Sequence, residues 1–186
     1  MASASPYQPS LLRLLHGLMA ALVALAWITG LTAYSEFDGR IGRLPLHLPE
    51  VIDLHGSLGV GLILVSCLFV PYALTLGRTR LRQAANAVAL LALLLCLGSG
   101  LLMDEEWLEH RDFGHLPYHL HLLAWLLLSA AVIWHLLALL GRGGPALVTS
   151  MLQLRLRPGD RPGDWPGQLC RFFGFPPATQ PRRPPD

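Results

Sequence analysis

Four long apolar stretches constrain the fold of this chain more than any other feature. They run from Leu11 to Ala33, from about Val51 to Leu76, from about Ala84 to Met103 and from about Leu116 to Leu140. Each is close to the roughly 20 apolar residues that an α-helix needs to cross a bilayer. With 53% hydrophobic and only 14% charged residues over 186 positions, the chain is too apolar for an ordinary soluble domain. We therefore predict an all-α integral membrane protein, a four-transmembrane-helix bundle with a Pro-rich C-terminal tail.

The first apolar stretch is predicted to remain in the mature protein as a transmembrane helix. It is longer than the apolar core of a typical signal peptide. No small-residue cleavage site lies before the charged stretch Glu36–Arg40. A cleaved signal peptide is the alternative.

The arginines predict how the four spans are oriented. All fourteen basic residues are arginine, and eleven of them lie on one side if all four stretches cross the membrane. Nine of the twelve acidic residues lie on the opposite side. By the positive-inside rule, both termini and the loop 77–83 face the cytoplasm, whereas the loops 36–50 and 104–114 face outward. We predict a multi-pass protein of the bacterial inner membrane, with a thylakoid-type membrane as the alternative.

Residues 143–186 are predicted to form a cytoplasmic tail, and residues 1–10 a short cytoplasmic N-terminus. Nine of the fifteen prolines lie in the tail from Pro145 onward, which argues against long helices and favours an extended segment. Two stretches of the tail, 146–156 and 165–175, combine apolar and arginine side chains. We predict that they lie on the membrane surface, with a poorly ordered tail as the alternative.

Four of the eight histidines lie within the predicted spans: His16, His55, His121 and His135. An ionisable side chain is costly inside a bilayer and marks a functional site there. His121 and His135 are 14 residues apart on the fourth span. This spacing returns to within roughly 40° of the same helix face and separates the two by about 21 Å along the axis. The fourth span therefore presents two ligands on one face, near opposite membrane surfaces.

Depth along the spans predicts how the histidines pair. His16 lies about 8 Å from the cytoplasmic end of its span, at a depth similar to that of His135. His55 lies about 6 Å below the outer surface, level with His121. Two neutral imidazoles at one level suit the axial positions of haem iron. The sequence therefore predicts two b-type haems, with His16 and His135 as the iron ligands on the cytoplasmic side and His55 and His121 on the outer side.

One neighbouring histidine is the main alternative in this assignment. His119 replaces His121 if the fourth span is rotated. Its spacing of 16 residues from His135 turns it about 160° away from the face of that histidine. The periodicity therefore favours His121.

Small residues and one arginine near the histidines are predicted to contact the haems. Arg13 and Gly17 flank His16, and Gly56 and Gly59 follow His55. The third span has a similar group of small residues near its outer end: Gly98, Ser99 and Gly100. Small residues leave room for a planar cofactor, but they are also common at ordinary helix contacts in membranes, which is the alternative for each glycine.

The ordered set of these motifs resembles the four-helix di-haem cytochromes b of bacteria, namely cytochrome b561 and the cytochrome b subunits of nickel-iron hydrogenases and formate dehydrogenases. The resemblance covers about residues 11–142. It rests on Arg13 with His16, on the string Asp53-Leu-His-Gly-Ser-Leu-Gly59, and on the fourth-span strings that begin at His121 and His135. It implies two bis-histidine haems that pass electrons between a quinone pool and a partner. The long tail departs from the minimal family pattern.

Three functions are consistent with these observations. The leading prediction is a quinone-linked electron-transfer protein that contacts membrane lipid and a redox partner subunit and binds no nucleic acid; whether it is itself an oxidoreductase stays open. The second is a membrane-anchor cytochrome b subunit of a larger redox or photosynthetic complex. The third, from a different class, is a haem-free transporter or assembly factor that uses the histidines as a proton relay.

Overall fold

The computed structural model describes residues 7–38, 40, 42–103, 115–153 and 155–172. Within these residues the regular structure is entirely helical. The helices are α1 (Ser10–Phe37), α2 (Val51–Leu74), α3 (Arg78–Leu81), α4 (Ala84–Leu101), α5 (Leu116–Leu152) and α6 (Trp165–Phe172), with a 3-10 turn at Pro162–Asp164. The predicted outer loop 104–114 and the end of the tail, 173–186, lie outside the described residues.

Four of the described helices are long and apolar enough to cross a membrane. They are α1, α2, α4 and residues Leu116–Arg142 of α5, with lengths of 18 to 28 residues. Large apolar side chains cover their outer faces, for example Leu64 (65% exposed) and Leu137 (62% exposed). Such surfaces suit lipid tails and not water. The prediction of a four-helix membrane bundle is confirmed.

The four spans pack as two pairs of neighbouring helices. α1 packs along α2, and α4 packs along α5, whereas α1 contacts α5 and α2 contacts α4 more sparsely. A central cluster of buried residues connects the pairs: Met19, Leu62, Ala92, Leu93, Leu128 and Ala131. This cluster lies near the middle of α2, α4 and the spanning part of α5. It joins the two helix pairs.

α5 continues into the region predicted to be an extended tail. It bends at Gly144, whose backbone angles (φ 51°, ψ −140°) are readily adopted only by glycine. Pro145 then begins the second part of the helix. A proline at the first position of a helix sacrifices no hydrogen bond, because the first N–H groups have no partner within the helix. The prediction of an extended segment from Pro145 is therefore wrong for residues 145–152.

The short helix α6 packs against the beginning of α1. Leu12, Leu15 and Tyr72 belong to a buried cluster, and Trp165 and Leu169 of α6 pack against it. A poorly ordered tail, one of the two alternatives from the sequence, therefore does not describe the residues of α6. A position on the membrane surface stays a prediction.

Candidate functional site

The four histidines of the spans lie together as two pairs. The ring centroids of His16 on α1 and His135 on α5 are 6.2 Å apart. Those of His55 on α2 and His121 on α5 are 6.1 Å apart. These are the partners expected from depth along the spans. His119 is exposed and lies against the ring of its neighbour Tyr118.

The spacing within each pair suits a metal held between two imidazoles. Two imidazoles that bind one metal from opposite sides, with metal–nitrogen bonds of about 2 Å, have ring centroids about 6 Å apart. Among the described residues, no group of three or more His, Cys, Asp or Glu side chains is arranged to hold a metal ion. A structural zinc ion takes four protein ligands, whereas haem iron takes only its axial ligands from the protein. The residues at both pairs therefore fit a haem.

A hydrogen bond determines which nitrogen of His55 is free. Nδ1 of His55 lies 3.1 Å from Oγ1 of Thr29 on the neighbouring helix α1. The hydroxyl of Thr29 donates to the carbonyl of Leu25 at 3.0 Å, so its oxygen accepts the proton of Nδ1. Nε2 then carries the lone pair. It is the nitrogen available to a metal.

His121 is held in the same way from the other helix pair. Nδ1 of His121 lies 3.1 Å from Oγ of Ser99 on α4. The hydroxyl of Ser99 donates to the carbonyl of Cys96 at 3.0 Å, which again leaves its oxygen as the acceptor. Nε2 of His121 is therefore free as well.

A glycine follows each of these hydroxyl residues and makes room for the histidine ring. A Cβ atom added at Gly30 would lie 2.8 Å from Cε1 of His55. One added at Gly100 would lie 3.3 Å from Cε1 of His121. Each ring is thus seated against a hydroxyl–glycine pair, Thr29-Gly30 or Ser99-Gly100, on the adjacent helix.

His135 has an amide as its partner in place of a hydroxyl. Nδ1 of His135 lies 3.0 Å from Oδ1 of Asn86 on α4. Nδ2 of Asn86 donates to the carbonyl of Arg80 at 2.9 Å, which turns the amide oxygen toward the histidine. His135 therefore donates from Nδ1 and keeps Nε2 free. The ring of its partner His16 packs edge-on against Phe69, with centroids 6.3 Å apart.

A carboxylate joins the end of α1 to the start of α5. Asp38 follows α1 directly and accepts hydrogen bonds from Nε of Arg40 and the hydroxyl of Tyr118, both at 2.5 Å. The guanidinium of Arg40 and then the hydroxyl of Tyr118 hold the pKa of Asp38 well below its usual range. A charged carboxylate therefore links the helix of Thr29 to the helix of His121.

The chain matches one family of known proteins. The family model for prokaryotic cytochrome b561 matches residues 7–153. The chain belongs to this family. It is therefore a multi-pass membrane cytochrome that binds b-type haem and acts in electron transfer. No curated protein and no solved structure matches the chain.

Membership of the cytochrome b561 family confirms the resemblance found in the sequence. It favours a haem protein over the predicted alternative of a haem-free transporter or assembly factor. The match ends at residue 153, so α6 lies beyond the part of the chain that the family model covers.

The sequence predicts only some of the residues that contact the histidines of this cytochrome. Ser99 and Gly100 stand out there only as small residues, and Thr29, Gly30 and Asn86 are missed. A signal for them exists, because a hydroxyl residue followed by glycine occurs on both α1 and α4. Asn86 is the one amide side chain within the described spans.

The three glycines predicted to contact the haems have open space around them. A Cβ added at Gly17, Gly56 or Gly59 would meet no atom within 4 Å. No neighbouring helix therefore requires glycine at these positions. Their contact with a haem stays a prediction.

Proposed function

We propose that this cytochrome binds two b-type haems, one at each histidine pair, and carries single electrons across the membrane between the quinone pool and a redox partner. The observation that supports the proposal best is that α5 contributes one histidine to each of two separate pairs. His121 and His135 are 14 residues apart on α5, which corresponds to about 21 Å along the helix axis. Two sites at these depths provide a route between the membrane surfaces.

The histidines are the proposed iron ligands, through Nε2 of His55, His121 and His135 and through the ring of His16. A haem held by two of these imidazoles would supply one-electron redox chemistry. The chain itself keeps the imidazoles neutral by burying them among apolar helices. It also orients three of them through hydrogen bonds from Nδ1. Such bonds raise the basicity of the ligand and fix its tautomer.

Four further residues are proposed to contact the haems: Arg13, Gly17, Gly56 and Gly59. Arg13 lies three residues before His16 and is only 8% exposed. The open space beside the three glycines leaves the helix surface next to His16 and His55 accessible to a flat ligand.

The proposal includes an orientation, with both chain ends on the cytoplasmic side of a bacterial inner membrane. Arg80, between α2 and α4, donates to Oε1 of Gln8 at 2.7 Å. The hydroxyl of Tyr7 donates to Asp160 at 2.5 Å. The N-terminus, this loop and the tail therefore meet at one end of the bundle. Nine of the fourteen arginines belong to these segments, and Arg13 and Arg142 lie at the adjoining ends of two spans. The positive-inside rule assigns these eleven to the cytoplasm.

The haem content of the purified full-length protein tests the two-site proposal. We expect two haems per chain by the pyridine haemochrome assay and a b-type reduced-minus-oxidised spectrum. One haem per chain contradicts the two-site proposal. No haem contradicts the assignment of the histidines altogether.

Reduction by a quinol tests the proposed electron donor or acceptor. We expect a soluble quinol to reduce the haems on a scale of seconds or faster, with dithionite as the measure of full reduction. The quinol is chosen so that its midpoint potential lies below those of the haems. Reduction by dithionite but not by this quinol contradicts the link to the quinone pool. The haem assignment is then unaffected.

A further inference from the structure

The chain after α5 folds back onto the beginning of α1. We call Gln153 together with residues 155–172 the tail segment. It lies almost wholly beyond residue 153, where the family match ends. Its hydrogen bonds to residues 7–13 join positions about 140 to 155 apart in the sequence. Most of the tail segment therefore lies outside the part of the chain that the family model covers.

Asp160 is at the centre of the contact. Its carboxylate accepts hydrogen bonds from the hydroxyl of Tyr7 at 2.5 Å and from the amide of Ser10 at 2.7 Å. Ser10 is the first residue of α1, a helix with no acidic residue in its first turn and no side-chain cap from Pro9. The N-terminal end of a helix carries unsatisfied N–H groups and a partial positive charge. Asp160 supplies the acceptor and the negative charge that this end lacks.

The tail segment also holds Arg13. Nη1 of Arg13 donates to the carbonyl of Gln153, and Nη2 donates to the carbonyl of Arg155 at 3.1 Å. Within the described residues Arg13 forms no salt bridge, and its buried Nε has no hydrogen-bond partner. A buried positive charge is therefore held in place by neutral carbonyl groups of the tail segment. Its charge is not neutralised by a carboxylate in contact with it.

Arg13 lies one helical turn before His16 on α1. Residues three apart on a helix are neighbours on its surface, with Cβ atoms about 5–6 Å apart, and Arg13 and His16 have this spacing. The reduced form of haem iron carries one positive charge fewer than the oxidised form. A nearby positive charge therefore favours the reduced form. The effect is strongest where water is excluded.

We propose that the tail segment positions Arg13 and thereby raises the reduction potential of the haem held by His16 and His135. This inference rests on the proposed function, because it requires a haem at that pair. Asp160 is a positioning residue that anchors the tail segment to the first turn of α1. Without this anchor the two carbonyls leave Arg13, the guanidinium turns toward water, and its effect on the haem falls.

The test measures the midpoint potentials of both haems in the full-length protein by spectroelectrochemical titration. Arg13→Gln is expected to lower the midpoint of the His16–His135 haem and to leave the other haem unchanged. Asp160→Ala is expected to lower the same midpoint by no more than Arg13→Gln does. The double variant is expected to match Arg13→Gln alone, because residues that act through one another are not additive.

Two further variants test whether the anchoring of the tail segment, and not a general effect of substitution, shifts the midpoint potential. Tyr7→Phe removes one hydrogen bond to Asp160 and is expected to give a smaller shift in the same direction, even if Asp160→Ala does not fold. Asp164→Ala is the matched control, because the carboxylate of Asp164 accepts a hydrogen bond from the amide of Arg161 within the tail segment itself. Its midpoints are expected to equal those of the unmodified protein.

Several outcomes overturn the proposal. An unchanged midpoint in Arg13→Gln, or in both Asp160→Ala and Tyr7→Phe, removes the link between the tail segment and the haem. Equal shifts of both haems indicate a general loosening of the bundle. Additive shifts in the double variant exclude a route through Arg13. Failure of the proposed function is distinguishable, because the unmodified protein then contains fewer than two haems.

Discussion

Oγ1 of Thr29 accepts a hydrogen bond from Nδ1 of His55 at 3.1 Å, across the interface of α1 and α2. Ser99 and His121 repeat this relationship, also at 3.1 Å, across the interface of α4 and α5. Both hydroxyl residues are buried, so water is a poor substitute for either. Each helix pair therefore brings its own orienting group to a shared site between the pairs.

Removing one of these hydroxyls is expected to weaken haem binding at the His55–His121 pair. Thr29→Val and Ser99→Ala each leave the Nδ1 proton of a histidine without its acceptor, and loss of such a partner typically lowers metal affinity by about 10- to 100-fold. The affinity is measured by titrating haem into the apoprotein. Ser66→Ala is the control, because Ser66 is buried on a span and its hydroxyl donates to Sδ of Met19. Equal affinities for Ser99→Ala and Ser66→Ala would contradict the prediction.

A methyl group at Gly30 is expected to displace the ring of His55. The added Cβ would lie 2.8 Å from Cε1 of the histidine, against 3.3 Å for the equivalent change at Gly100. Overpacking of this kind typically costs about 1–3 kcal/mol, so Gly30→Ala should lose the haem at the His55–His121 pair more readily than Gly100→Ala. Gly98→Ala is the control on α4, because its Cβ meets no atom within 4 Å. Haem retention during detergent washing is the measurement, and the reverse order of the two variants would exclude this explanation.

Single removal of a histidine is expected to empty one site and spare the other. His135→Ala should lose the haem shared with His16, and His121→Ala the haem shared with His55, so that each variant retains about one haem per chain. His119→Ala should retain two, because His119 is exposed and its ring contacts Tyr118. Haem content and the reduced-minus-oxidised spectrum check all three. Loss of haem in His119→Ala but not in His121→Ala would reverse the choice between these residues.

The four spans and the partners of the histidines follow from the sequence for simple physical reasons. A run of about 20 apolar residues has few alternatives to a transmembrane helix. An ionisable side chain inside it is costly enough to be noticed. Helix geometry then converts the positions of His16, His55, His121 and His135 into depths.

The groups that orient the histidines are harder to find, because each is unremarkable on its own helix. Thr29 and Ser99 can satisfy their hydroxyl protons on carbonyls of their own helices, as they do here. Their role becomes visible only when the neighbouring helix is in place. The close approach at Gly30 likewise depends on how α1 packs against α2.

Sequence periodicity does not predict how the tail folds. Asp160 contacts Ser10 across 150 positions, and no local pattern indicates which helix end a distant carboxylate will cap. The proline at position 145 suggested that the helix ends there. Gly144 takes up the bend instead and lets Pro145 start a second helical part.

The attachment of the tail segment is expected to depend on pH through Asp160. Burial raises the pKa of this carboxyl. The hydrogen bonds from Tyr7 and Ser10 together lower it by a larger amount, so the pKa lies below its ordinary value. The amide of Gln168 and the phenol of Tyr72 also lie near it. The guanidinium of Arg157 lies over the ring of Tyr7, 4.1 Å from its centroid. A lowered pKa in the attached state means that the carboxylate stabilises attachment above its ordinary pKa of about 3.9. This contribution is lost as the pH falls through the lowered value.

The indole N–H signal of Trp165 reports this attachment, because Nε1 of Trp165 donates to Oγ of Ser10 at 2.8 Å. Trp165→Phe assigns the signal among the five tryptophans of the chain. We expect its position to stay constant from about pH 5 to pH 8 and to move toward that of a free indole below about pH 4. Asp160→Asn removes the titrating group while keeping its size, so its signal should not change over the acid range. An identical acid transition in Asp160→Asn would show that another group controls the attachment.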